Sequence, residues 1–275
     1  MSISKTTAPI LLIGAGRMGF ALLNAWLEAG GATQHIMVLE PAPTPDLQKL
    51  AKAEAITLNP APDMIKAATP AIIVFAVKPQ MAEEIIPPLA SLLPPDCLSV
   101  SILAGIRLAQ LEAHLGTQKI IRAMPNLAAT INHSMTVLCA GEQVEQDART
   151  KAETLFAAIG KTAWLDNEAD IDIATAISGS GPAYVFYLTE CLAAAAGELG
   201  LPKNLAMQLA RATVAGAGHM LDQSTDEAAV LRENVTSPAG TTAAALDVLM
   251  EEKGLPHLIR RAAKAAVMRA RELGS

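Results

Sequence analysis

The 275-residue sequence is poor in aromatic side chains, which make up only 3% of it, and it has no long basic run. Scarce aromatics argue against an all-β sandwich and against a surface that stacks bases. A formal net charge of -6 argues against a nucleic-acid partner, because phosphate binding of that kind needs clustered Lys and Arg. The one local excess, Arg260, Arg261, Lys264, Arg269 and Arg271, falls in the last helical pattern and reads as a solvated face. Cys97, Cys139 and Cys191 are widely spaced among apolar residues and show no CxxC pair, so neither a disulfide framework nor a zinc site is expected. All three read as small core residues. The five histidines show no HExxH spacing, and no metal is implied. No apolar run is long enough for a membrane span or a signal peptide, which makes the cytoplasm the expected location.

What is abundant is aliphatic mass, much of it alanine, within a hydrophobic content of 51%. Short apolar runs at Pro9 to Ile13, His35 to Glu40, Ala71 to Val77, Cys97 to Ile102 and Lys119 to Met124 each reach a turn. Helical patterns separate them, as in buried parallel strands joined by crossover helices. Gly30-Gly31 ends the first helix, and Pro87-Pro88 and Pro94-Pro95 punctuate the connection before the fourth strand. Two weaker strands follow, around Met135 to Cys139 and Thr162 to Leu165. From about Asp166 the periodicity turns helical throughout, in segments at 171–177, 183–199, 203–221, 225–233, 241–253 and 256–273. The expected fold class is α/β: an N-terminal Rossmann-like doubly wound sheet (residues 1–165) and a C-terminal all-helical domain (166–275). The second domain has few charges between residues 173 and 221. Alanine-rich apolar helices of this kind need a partner for their outer faces, so a homo-oligomer built from this domain is expected.

The sharpest local signal is Gly14-Ala15-Gly16-Arg17-Met18-Gly19, placed between a strand and a helix. Gly14 allows the tight turn, Gly16 lets the backbone approach a pyrophosphate, and Gly19 lets helix and strand pack closely. Glu40 ends the second strand, where a carboxylate can accept the hydroxyls of an adenosine ribose; the alternative is a solvated strand-end acid. No arginine follows until Arg107, so the local clamp for a 2′-phosphate is missing, and NADH is expected to serve at least as well as NADPH. Val77-Lys78-Pro79-Gln80 follows the third run and should face the cofactor. Lys78 either approaches phosphate or ribose or is a surface charge, and Pro79 holds the preceding backbone extended. Asn126, after Met124-Pro125, either orients nicotinamide or substrate or caps its own loop.

Two stretches of the helical half look functional. Ser178-Gly179-Ser180-Gly181-Pro182 is a permissive helix–helix turn. Glu233 through Thr242 places hydroxyls and free amides at a helix start, which is an anion site. Together with the glycine fingerprint, Val77 to Gln80, Met124 to Asn126 and Ser178 to Tyr184, the stretch Leu231 to Thr242 resembles the pyrroline-5-carboxylate reductase family over essentially the whole chain. The resemblance implies reduction of 1-pyrroline-5-carboxylate to L-proline by hydride transfer from NADPH or NADH. It implies a small anionic cyclic imine whose carboxylate sits at Ser237 and Gly240, with the Thr241 hydroxyl near the ring nitrogen. It also implies intertwined dimers that assemble further into decamers.

Three departures stand out. Ala239 replaces a family glycine, and a methyl is tolerable there with a negative φ. Asn132 and Ser134 stand where glycines are common, and the second strand ends in an acid. The nearest rival, a β-hydroxyacid-type dehydrogenase, would place a lysine on the interdomain helix, and none occurs from Ala183 to Leu199. A related cyclic-imine reductase and a non-catalytic nucleotide sensor on the same fold remain alternatives.

Overall fold

The computed structural model describes residues 9–30, 35–117 and 119–274. Gly31, expected to help end the first helix, lies outside the described residues. The strands are β1 (Ile10–Ile13), β2 (Ile36–Leu39), β3 (Thr57–Leu58), β4 (Ile72–Phe75), β5 (Leu98–Ser101), β6 (Ile120–Met124), β7 (Ser134–Ala140) and β8 (Gly160–Trp164). They form one sheet in the order β3-β2-β1-β4-β5-β6-β7-β8. All neighbours run parallel except β6 and β7. The order reverses direction at β1, which makes the space beyond the C-terminal ends of β1 and β4 the switch point where such sheets take ligands.

Helices cover both faces of the sheet. They are α1 (Arg17–Glu28), α2 (Pro45–Ala53), α3 (Pro62–Ala68), α4 (Ala82–Ala90), α5 (Leu108–Leu115) and α6 (Gln146–Ala157). Alternation along β1 sends Ile10 and Leu12 into one layer with Leu22 and Trp26 of α1, Leu47 of α2 and Phe156 of α6. Leu11 and Ile13 go to the other, with Ile65 of α3, Ile86 of α4 and Leu111 of α5. The buried Trp26 indole donates to the Leu155 carbonyl at 2.9 Å, tying α1 to α6.

Two expectations need correction here. A strand at Thr57–Leu58 was not expected, because two half-buried residues carry no readable pattern. Pro87 and Pro88 do not break the connection; both lie inside α4. They are exposed, and the buried Ala82, Ile86 and Leu89 hold the helix against the sheet despite the two missing N–H donors.

The chain divides into two compact units, one running to Gly179 and resuming from Val267, the other Ser180–Ala266. The first unit therefore includes the short helix α7 (Asp170–Ala174) and a π-helical turn, Thr175–Gly179. The second contains α8 (Gly181–Glu198), α9 (Lys203–Gln223), α10 (Ala228–Asn234), α11 (Thr241–Leu249) and most of α12 (Leu255–Leu273). Helix α10 begins later than the pattern suggested, since Ser224 Oγ accepts from the Asp226 N–H in a local turn. Helix α11 stops at Leu249, before a turn closed by Gly254 N–H to the Glu251 carbonyl. The end of α12 returns to the first unit: Arg107 Nε donates to the Gly274 carbonyl at 3.2 Å. A Cβ on Gly105 would lie 2.8 Å from the Leu273 carbonyl oxygen.

In the helical unit α8 packs along α9, yet among the described residues only Ala193, Ala206 and Ala210 are buried apolar side chains. Phe186 and Tyr187 are 57% and 67% exposed. Cys191, expected in a core, is exposed on α8, whereas Cys97 and Cys139 are buried. The cause is the same: within one chain α8 has almost nothing to bury its faces against. Burial pushes the Cys97 thiol up to about 12, so it stays protonated and unreactive at neutral pH.

The first unit is braced by Glu168, whose Oε1 accepts from Arg122 Nη1 at 2.6 Å and from the Leu108 N–H at 2.6 Å. Arg122 is buried on β6. Replacing Glu168 by Ala leaves that guanidinium without its counter-charge and is expected to lower the unfolding free energy by about 3 kcal/mol in denaturant titration. A loss below about 1 kcal/mol would show that Arg122 finds water or another partner.

Candidate functional site

The glycine fingerprint starts where β1 ends. Gly14 N–H donates to the Leu39 carbonyl at 2.8 Å and Ala76 N–H to the Ile13 carbonyl at 2.7 Å, so the ends of β1, β2 and β4 are laced into one rim. A Cβ on Gly19 would fall 2.2 Å from the Gly14 carbonyl oxygen, so only glycine lets α1 start this close to the strand. Gly16 is different. It is the exposed N-cap of α1, its φ of -65° suits any residue, and a Cβ there would meet nothing within 4 Å. Neither packing nor backbone conformation asks for glycine at this position. A ligand that comes against the backbone does, and the N–H groups at the head of a twelve-residue helix are suited to a pyrophosphate. The residues present therefore fit a dinucleotide.

Beside this turn lies a groove of about 360 Å³. Gly14, Gly16, Glu40 and Lys78 give it its polar rim, and Pro41, Val77, Met81, Ile85 and Leu89 its apolar walls. Glu40 is half-buried, and its carboxylate accepts from the Ala15 N–H at 2.9 Å and the Ala42 N–H at 3.2 Å. Lys78 is exposed and extended, as the following Pro79 requires, and Pro79 opens a 3-10 turn that leads into α4. Met81, Ile85 and Leu89 add an apolar wall that the sequence motifs do not name. Their signal is the i, i+4, i+8 spacing from the N-cap Met81 into α4. Arg17 is exposed at the head of α1, and Met18 packs against the core.

Asn126 caps its own loop. Its Oδ1 accepts from the Ala128 N–H at 3.0 Å at the head of the 3-10 turn Leu127–Ile131, and its Nδ2 donates to Ser178 Oγ at 3.1 Å. Ser178 Oγ in turn donates to the Met135 carbonyl at 3.0 Å. Ser134 Oγ accepts from the Asn126 backbone N–H at 3.0 Å, which gives that serine a structural task. Asn132 stands at a left-handed φ of 59°, a conformation asparagine tolerates better than most residues, and so replaces glycine at little cost.

In the helical unit, Val235 to Gly240 leads into α11. Gly240 is its N-cap with no side-chain cap, so the first amides of a nine-residue helix stay available beside the exposed Ser237 and Thr241. A Cβ on Gly240 would lie 2.3 Å from Ser237 Oγ. Ala239 overturns the expectation of a negative φ: it sits at +54°, in the left-handed region. The Gly240 N–H bond to the Ser237 carbonyl at 3.0 Å closes the turn that holds it there. An exposed alanine is held in a conformation costing about 1–2 kcal/mol.

Three outcomes are expected. Gly16→Ala should weaken dinucleotide binding about tenfold in calorimetry, while ligand-free stability changes by less than about 1 kcal/mol. Gly19→Ala should instead destabilise the ligand-free protein by about 1–3 kcal/mol in thermal unfolding. Ala239→Gly should raise stability by about 1 kcal/mol in denaturant titration, and a loss would mean the alanine methyl packs usefully.

The family model for Pyrroline-5-carboxylate reductase dimerisation matches residues 168–273, and one described as NADP oxidoreductase coenzyme F420-dependent matches residues 9–105. The chain is 37% identical to a pyrroline-5-carboxylate reductase of Pseudomonas aeruginosa, over 98% of this chain and 97% of that one. It is 34% identical to the enzyme of that name from Pisum sativum, over 95% and 94%. A solved pyrroline-5-carboxylate reductase from Coxiella burnetii superposes with a TM-score of 0.90 at 32% identity, covering 98% of this chain and all (100%) of that one. A Plasmodium falciparum pyrroline carboxylate reductase solved with NADP bound gives 0.81 at 26%, covering 98% and 99%. With an open glycine at the head of α1, an uncapped helix start in the helical unit and this likeness along its whole length, the chain belongs to the pyrroline-5-carboxylate reductase family.

Proposed function

We propose a division of roles between the two halves, residues 1–165 holding the dinucleotide and residues 166–275 holding the substrate and a second copy of the chain. As a member of its family the protein is an NAD(P)H-dependent oxidoreductase that converts 1-pyrroline-5-carboxylate to L-proline. In the first half, Gly14, Gly16, Arg17, Met18 and Gly19 take the pyrophosphate. Glu40 takes the adenosine ribose, and Val77, Lys78 and Pro79 line the approach. In the second, the amides from Gly240 onward and the Ser237 hydroxyl hold the imine carboxylate, and the Thr241 hydroxyl meets the ring nitrogen. Asn126 acts by fixing the loop after β6. The observation that carries the substrate assignment is the uncapped, exposed head of α11.

When bound, the reduced nicotinamide supplies the hydride. The protein's part is to orient and to exclude water. A protonated imine carries its own activation, since positive nitrogen makes the ring carbon electrophilic, so hydroxyls and fixed backbone dipoles suffice and no strong protein acid is needed. The exposed apolar faces of α8 and α9 support a dimer, with decamers as a further assembly. No helix among the described residues is long and apolar enough to cross a membrane. The cysteines, all free, suit a reducing cytoplasm.

Purified protein given 1-pyrroline-5-carboxylate and NADH or NADPH should oxidise the nicotinamide with formation of proline. No oxidation by protein that binds either cofactor would overturn the substrate. Thr241→Ala should lower kcat/KM about tenfold, roughly 1.4 kcal/mol, and an unchanged value would remove Thr241 from the ring nitrogen.

A further inference from the structure

Asn59 follows β3, the strand with no readable signal, and it has no part in the assignments above. Its backbone is left-handed, with φ at 51°, and its N–H donates to the Val38 carbonyl at 2.8 Å. That turn delivers its side chain to Glu40, where Oδ1 accepts from the Glu40 N–H at 2.8 Å and Nδ2 donates to the Glu40 carbonyl at 3.0 Å. One amide side chain thus satisfies both backbone groups of the residue at which β2 stops, replacing the strand neighbour that β3 is too short to supply. The other end of Glu40 is fixed as well, by the Ala15 and Ala42 N–H groups on its two carboxylate oxygens. A residue pinned at backbone and at side chain places its charge with little freedom.

We infer that Asn59 is a positioning residue for cofactor choice: by pinning Glu40 it holds a carboxylate in the adenosine end of the groove, and the protein selects NADH over NADPH. This rests on the reading of Glu40 as the ribose contact. A carboxylate has about four acceptor sites, and two backbone bonds leave two for ribose hydroxyls. A 2′-phosphate, with about 1.5 to 2 negative charges, offers no donor in their place and meets a like charge. Among the described residues lining the groove, Glu40 and Lys78 are the charged ones; Arg17 does not line it, and no arginine does. The carboxylate is held in place before any ligand arrives, so it cannot swing aside to admit the phosphate without giving up the Ala15 and Ala42 bonds.

The test is calorimetric titration of the full chain, without substrate, using NADH and NADPH and, for the adenosine end alone, 5′-AMP and 2′,5′-ADP. The wild type is expected to bind NADH at least about tenfold tighter than NADPH, with the same order for the two short nucleotides. Equal affinities, or a preference for the phosphorylated member, overturn the inference without any variant. Glu40→Gln should bring the ratio to within about threefold of one. If it leaves the ratio unchanged, Glu40 is not at the ribose, and the reading of that residue fails together with what rests on it. Asn59→Gly keeps the left-handed backbone and deletes the clamp; it should narrow the ratio through weaker NADH binding while NADPH affinity holds or improves. A purely structural asparagine would lower the melting temperature or weaken both cofactors alike and leave the ratio intact, which overturns the role of Asn59 alone. Asn59→Ala serves the same purpose if the glycine variant does not fold.

Discussion

The close approach of Gly19 to the Gly14 carbonyl oxygen governs the sheet-containing half. With even one methyl on Gly19, α1 would have to retreat, since that carbon would lie 2.2 Å from the oxygen. The retreat would carry the head of α1 away from the rim where β1, β2 and β4 are laced together. The free amides at the head of α1 would leave with it. Glu40 depends on the same rim, because one of its carboxylate bonds goes to Ala15, the residue inside the fingerprint. A single close contact thus sets the helix start, the groove beside it and the placement of the acid.

The helical unit obeys a different constraint. Its helices are long and apolar, but alone they bury three alanines among the described residues and leave Phe186, Tyr187 and Leu188 in water. A sheet domain can stand by covering both of its faces with its own helices. A bundle of this composition reaches comparable burial only with surface from outside the chain. The strained Ala239 in the loop before α11 belongs to this half, and strain of that kind persists where the surrounding bonds over-determine the backbone.

Much of the architecture was legible in the sequence, for particular reasons. Parallel strands buried on both faces read as unbroken aliphatic runs, so Ile10–Ile13, Ile72–Phe75 and Ile120–Met124 were visible. The fingerprint and the head of α11 were visible because glycines and hydroxyls at a helix start have few other uses. What was not legible depends on tertiary contact. Strand β3 has only two residues, and the Pro87-Pro88 pair reads as a break until the buried Ile86 and Leu89 are seen to outweigh it. Cys191 looked like a core residue because its neighbours are apolar, and the chain alone does not bury them. The bonds of Asn126 to Ala128 and Ser178 likewise depend on how the loop after β6 folds. The positive φ of Ala239 and the Asn59 grip on Glu40 leave no trace in residue type or spacing.

The return of the chain to its first unit has a consequence for biogenesis. The loop at Gly105 to Arg107 is packed by Leu273 and Gly274, which are made only after the whole of Ser180–Ala266. The sheet-containing unit therefore cannot be finished while it emerges from the ribosome. It waits with that loop uncovered until the helical unit has been synthesised, so its completion comes when the apolar faces of α8 and α9 are already present. A nascent chain in that interval shows both an open edge and an unpartnered bundle, and it is at this point that chaperones would find most to hold.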